Sequence, residues 1–201
     1  MKYLNFLILF GTLLVVQGCA SKKQADSGGY RILYTTDGSG KLPKWVYDTP
    51  VEEKDGKMLI SGVVDIAGNQ SPSRGLTAAD LQARAEIAKQ IKTRVAVKLQ
   101  YANEGFGYDN QILSQIVSQA SDATHMVNVR IVERGFAKIS DVDNLGISTR
   151  FTCYSRAAIE IEELKKMIAR ALQDAQDQGK ISEEFKQKVE KEWNQFFNNA
   201  N

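Results

Sequence analysis

An α+β domain is the fold class this sequence predicts, with an antiparallel sheet of three or four strands packed by a long helix and a second helix, and a helical pair at the C-terminus. Three observations carry it. Met58, Ile60, Gly62, Val64 and Ile66 alternate as one face of a strand. Residues 125–139 and 147–161 give two further alternations, joined by an Asp- and Asn-rich hairpin connection over residues 140–146. Between the first strand and that hairpin, apolar residues recur at helical spacing, which places helices across one face of the sheet.

Taken in order, residues 20–29 form a polar tether and residues 30–34 a short strand, followed by a Gly/Ser turn region over 35–41. Pro43-Lys44-Trp45-Val46 with Pro50 predicts a rigid extended lead-in, because proline fixes φ and biases its predecessor to extended backbone. Trp45 then plugs this segment onto the domain. Residues 67–75 read as a loop on composition, and Thr77 with Asp80 resembles a capping box. The helix that follows is expected to turn Leu81, Ala85, Ala88, Ile91, Val95 and Leu99 to the sheet, over roughly 35 Å.

Asn103 to Tyr108 breaks that helix, and Asp109 can cap the next, whose stripe is Ile112, Leu113, Ile116, Val117 and Ala120. In the strand over 125–139, Val127, Val129 and Ile131 share a face, and Glu133-Arg134-Gly135 marks a bulge. In the strand over 147–161, Ile147, Phe151, Cys153, Ala157, Ile159 and Ile161 face inward. Arg150, Tyr154, Arg156 and Glu160 face outward. Leu164, Met167, Ile168, Ala171, Leu172 and Ala175 line the next helix, which Gly179 ends. Ser182 caps the last one, striped by Phe185, Val189, Trp193 and Phe196.

The first nineteen residues give an address. Lys2 supplies a positive start, Leu4 to Val16 an apolar run, and Val16-Gln17-Gly18-Cys19 its close. A run of about a dozen apolar residues is signal-peptide length, short of the roughly 20 that a spanning helix needs. Small Gly18 before Cys19 resembles a bacterial lipobox, with Gln17 where a small residue is usual. That resemblance implies cleavage between Gly18 and Cys19, a diacylated Cys19 sulfur and an acylated new N-terminus. One chain anchors marginally and two or three anchor firmly. Ala20-Ser21, with no acidic residue beside the cysteine, matches lipoproteins exported to the outer membrane.

Composition narrows the task. Lys+Arg total 26 against 24 Asp+Glu, a balance that gives no electrostatic footprint for nucleic acid. With Cys19 lipidated, Cys153 has no partner for an internal disulfide. His125 is the single histidine, so a histidine-type metal site is excluded; no metal and no cofactor is expected. A Cys153–His125 dyad would need a favourable strand register, and Cys153 on an inward position reads as a small core residue. Ser121, Asp122 and His125 lack a nucleophile elbow and would share one helix end. Asp141-Val142-Asp143-Asn144-Leu145-Gly146 has the glycine of a calcium loop but carries Thr152 where the bidentate glutamate belongs, so a hydrated hairpin turn is the better reading.

Three surfaces are candidates for binding. Tyr101, Phe106 and Tyr108 crowd a glycine-containing loop that could meet a sugar, a peptide or a protein, or pack back onto the fold. The Phe185-Val189-Trp193-Phe196 stripe could dock a partner, or close against the preceding helix or the sheet. Arg150, Tyr154 and Arg156 on the outward face of the last long strand are the third.

The lipobox cysteine, Pro43-Lys44-Trp45-Val46, Ile60-Ser61-Gly62-Val63, the helix start from Ala78 to Ala88 and the strand through Tyr154 and Ala158 together resemble one family. It is the bacterial lipoproteins named for a twenty-kilodalton outer-membrane lipoprotein (LPP-twenty type), over residues 45–161. The N-terminal domain of a flagellar outer-membrane assembly protein is similar. The resemblance implies an envelope-facing α+β module without known catalysis and transfers no site residues. The expected organisation is a signal peptide over 1–18, lipidated Cys19 and tether over 19–42, the α+β domain over 43–161 and the helical pair over 162–201. The expected function is a non-enzymatic outer-membrane lipoprotein, held to the membrane by its lipid and binding another envelope protein or itself. A peptidoglycan- or glycan-binding module using the aromatic loop is the alternative.

Overall fold

The computed structural model describes residues 29–48, 51–122, 129–143 and 146–198. The strands are β1 (Tyr30–Thr35), β2 (Val51–Lys54), β3 (Lys57–Ala67), β4 (Arg130–Asp143) and β5 (Gly146–Glu160). The helices are α1 (Pro72–Asn103), α2 (Asn110–Asp122), α3 (Ile161–Asp177) and α4 (Glu183–Asn198). The fold is α+β: one antiparallel sheet in the order β1-β4-β5-β3-β2, with helices against it.

Five strands form where three or four are expected. The addition is β2, which pairs with β3 through a tight turn at Asp55-Gly56, both at positive φ (52° and 71°). Two positive-φ residues in succession match the right-handed twist of a hairpin, and Asp-Gly is the dipeptide that adopts them most readily. At the other hairpin, strand pairing runs past the expected connection: Asp141 pairs with Ser148 and Val142 with Ile147, leaving residues 144–145 between the strands. Cross-strand pairing therefore overrides the turn-like composition of residues 140–143. The bulge falls between Ile131 and Glu133, slightly ahead of the place expected. It moves Gly135, Ala137 and Ile139 to the sheet face opposite Ile131.

α1 starts at Pro72, inside the expected loop. Ser71 holds extended backbone as N-cap and Pro72 occupies the first helical position, where a missing N–H costs nothing. Thr77 is thus interior, its hydroxyl donating to the Ser73 carbonyl at 3.1 Å, and it caps nothing. The buried stripe is Gly75, Ala79, Ala83, Ile87, Ile91, Val95, Leu99 and Ala102, whereas Leu81 is 64% exposed and Ala85 is exposed. The expected phase thus fails in the first half of the helix and holds from Ile91.

The reason for that phase is the sheet. A Cβ on Gly62 of β3 would lie 2.4 Å from the Ala79 carbonyl oxygen and 2.5 Å from the Ala83 amide nitrogen. Only small residues on both surfaces allow so close an approach. Each four-residue step advances about 40° around a helix. The stripe therefore winds: its small residues lie against the sheet, and Ile91, Val95 and Leu99 join the apolar core that residues of α2 and α4 also enter.

Asp109, Gly179 and Ser182 do as expected. The Gln111 amide donates to the Asp109 carboxylate at 2.8 Å, Gly179 takes φ 68° past the end of α3, and the Phe185 amide donates to the Ser182 hydroxyl at 3.2 Å. Phe185, Val189 and Trp193 are buried in the same apolar core as Met58, Ile60, Ile159 and Leu164. That stripe is closed inside the fold. Its fourth member, Phe196, has a side chain outside the described residues.

β5 is buried on both faces from Phe151 to Ile159. The helices cover Phe151, Cys153, Ala157 and Ile159. The other face is covered by the segment joining β1 to β2. These strands are the two edges of the sheet, so their connection has to cross it. In it, Pro43 is extended and Lys44–Val46 forms a 3-10 turn, correcting the fully extended lead-in expected there.

Candidate functional site

The strand face beneath the crossing segment holds Arg156, the one charged residue that is buried among the described residues. Arg156, Tyr154 and Thr152, 7%, 4% and 2% exposed, are not the open surface that alternation suggests, because residues 36–48 lie over them. The Trp45 ring meets Tyr154 edge-on at 5.5 Å, and the Arg156 guanidinium lies 5.4 Å from the Trp45 ring centroid. Trp45 also donates from Nε1 to Glu133 at 3.1 Å, and its carbonyl accepts from the Ser61 hydroxyl at 3.2 Å. Arg156 pairs with Glu52 of β2 and Glu133 of β4. One arginine on the central strand thereby ties its neighbour β4, and the edge strand β2 beyond β3, to the segment above. Trp45 plugs the domain as its size suggests.

Gly135 makes room for this cluster. It pairs with Tyr154 across the ladder, and a Cβ there would lie 2.7 Å from the Tyr154 hydroxyl and 2.8 Å from two ring carbons.

Arg150 forms a second network farther along. It donates from Nε to Asp141 and from Nη1 to Asp65 and to the Thr152 hydroxyl, each at 2.8 Å, while Thr152 donates to Asp65 at 2.6 Å. Burial works against the Arg150 charge, but the hydrogen bond to Asp141 and the charge of Asp65 more than offset it, and the pKa rises. Nearby, burial and the Tyr30 phenol push the Tyr47 pKa up to about 12. Asp141 is taken up by Arg150, which removes the first ligand of the calcium-loop reading. Among the described residues no group of three or more His, Cys, Asp or Glu side chains could hold a metal ion.

Cys153 is fully buried beneath the start of α1. A Cβ on Gly75 would lie 2.3 Å from its sulfur, and the thiol faces the Pro72 carbonyl at 3.7 Å. Burial, with the charge of Asp65, pushes its pKa up to about 11. A reactive cysteine needs the opposite shift and an open approach. Ser121 is buried at the end of α2 with Asp122 exposed beside it, and His125 lies outside the described residues.

The aromatic loop is brought together only in part. Phe106 stacks on Tyr108 at 6.0 Å, and both pack on Phe185 of α4, at 5.3 and 4.8 Å. The Tyr108 hydroxyl accepts from the Ser182 amide at 2.8 Å, and Asn103 clamps the Tyr108 backbone through two hydrogen bonds. Lys188 spans the loop, donating to the Glu104 carbonyl at 3.0 Å with its ammonium 5.5 Å from the Phe106 ring centroid. Tyr101, on the last turn of α1, is 55% exposed. The cluster chiefly closes the end of the helical core.

Gly18 and Cys19 lie outside the described residues. Among those described, no helix is long and apolar enough to cross a membrane. The chain matches no protein-family model, no curated protein and no solved structure.

Proposed function

We propose that this protein is a lipid-anchored lipoprotein of the bacterial outer membrane, of the LPP-twenty type, whose α+β domain works without catalysis by binding other envelope components or itself. The observation that carries this reading is the leader: a positive start, a short apolar run, and Gly18 before Cys19. The chemistry of the domain is compatible with it. Its one described thiol is buried and held protonated, and its buried Arg156 and half-buried Arg150 pair with carboxylates within the fold. Such side chains stiffen a body that acts through its surface.

Metabolic labelling with palmitate tests the reading. The wild-type chain is expected to take up label and fractionate with the outer membrane, and Cys19→Ala is expected to take up none and stay as precursor. Equal labelling of the variant would refute it. The glycan-binding alternative rests on Tyr101, Phe106 and Tyr108. Since Phe106 and Tyr108 are committed to Phe185, Tyr101 is the freest ring of the three. Retention on purified sacculi that fell on Tyr101→Ala and Phe106→Ala would favour that alternative.

A further inference from the structure

We infer that the tip of the β4–β5 hairpin, presenting Val142 and Ile147, rests on the lipid leaflet that holds the anchor. This deepens the lipoprotein reading and rests on it. Val142 and Ile147 are a cross-strand pair, 61% and 78% exposed, and Ile147 is the more open of the two. Two apolar side chains side by side near the end of a long hairpin are thus left largely open to solvent.

The chain itself leads to this tip. Tyr30 pairs with Asp141, and the Val142 amide donates to the Gly29 carbonyl at 3.2 Å. Gly29, the first described residue, therefore lies beside Val142. The ten residues from Cys19 to Gly28 can span at most about 35 Å when fully extended. α1 starts over Cys153, midway along β5, and runs away from the tip past Gly62, and its 32 residues carry its other end about 48 Å farther on. The tether is shorter than that, so an upright domain with the α1 C-terminus against the leaflet is out of reach. With the tip down, Gly29 and the anchor point the same way.

The polar groups around the tip suit a headgroup layer. The Asp141 charge is matched by Arg150, Arg31 is exposed on β1, and Tyr30 and Tyr47 place phenols nearby. Tyrosine, apolar at one end and polar at the other, is suited to that boundary.

The test uses the acylated full chain, recovered from membranes and reconstituted in phospholipid vesicles carrying nitroxide-labelled lipid. An environment-sensitive fluorophore is placed at Ser148→Cys near the tip or at Tyr101→Cys at the far end, while buried Cys153 stays unlabelled. Quenching by the lipid is expected to be about three-fold stronger at position 148 than at 101. In a Val142→Asp/Ile147→Asp background it should fall to the level of 101, with an unchanged Tm. An acylated protein whose Ser148 probe is no more quenched than the Tyr101 probe would overturn this inference and leave the anchor standing. A probe response that grows with protein concentration without lipid would assign the tip to a second copy and also overturn it. A membrane-extracted chain without acyl groups would overturn both readings.

Discussion

The two faces of the sheet are closed by different chemistry. The helix face is apolar and tightly spaced, with Gly62 against Ala79 and Ala83, and beyond them Ile87, Ile91, Phe185 and Leu164. The opposite face is closed by a single crossing segment, held through Trp45 by Tyr154 and the Arg156–carboxylate network, while Arg150 links β3, β4 and β5 farther along. The first face depends on shape and excluded water, the second on placed charges that are still partly hydrated. Damage should therefore be severe and global on the helix face, and graded on the other.

The largest effect is expected at Gly62. A Val there sets a Cβ into the backbone of α1, which cannot shift without moving the whole helix; Gly62→Val should leave no cooperative urea transition, a loss above about 4 kcal/mol. Phe185→Ala opens a cavity under Phe106 and Tyr108 and should cost about 3–5 kcal/mol, read from the shift of the same transition. On the crossing-segment face, Arg156→Ala should cost less, about 2 kcal/mol, because Glu52 and Glu133 remain partly hydrated once unpaired. Equal losses for Arg156→Ala and Phe185→Ala would erase the contrast between the faces.

Alkaline pH separates the faces further. Cys153 and Tyr47 both have pKa values raised in the folded state, to about 11 and about 12, so folding favours their protonated forms. That stability is complete below the ordinary values of 9.0 and 10.0 and is lost as pH rises through the folded ones. The unfolding midpoint should therefore fall between pH 9 and 12. Cys153→Ala should flatten most of the fall, and Tyr47→Phe only slightly its later part, because Tyr47 is more than half exposed and solvent screens its shift. A midpoint independent of pH over this range would contradict both shifts. The smallest effect is expected for Ile147→Asp, exposed at the hairpin tip, whose stability should change by no more than about 0.5 kcal/mol.

How far the fold is legible follows the same division. Elements whose contacts are local read directly: the Asp109 and Ser182 caps, the Gly179 stop, and the stripes of α2, α3 and α4. α1 reads out of phase in its first half because Leu81 draws the eye as a hydrophobe, while the surface touching the sheet is made of glycine and alanine. β2 is too short and too charged to announce itself, though Asp55-Gly56 is the signal that would have found its hairpin. The crossing segment cannot be read from periodicity at all. It follows from the strand order, which puts β1 and β2 at opposite edges and turns an apparently open strand face into an interior. Of the candidate binding residues, Tyr108 is drawn onto the core by Phe185 and Phe106, still exposed, packs beside it; that partner lies 77 or more positions away in the chain, where loop composition could not reveal it.

The lipid anchor is tested most directly by mass spectrometry of the N-terminal peptide of the protein extracted from outer membranes. Cys19 should be the first residue, carrying two acyl chains on its thioether-linked glycerol and a third on its amine. A chain beginning elsewhere, or a Cys19 with a free thiol, would contradict the proposed function.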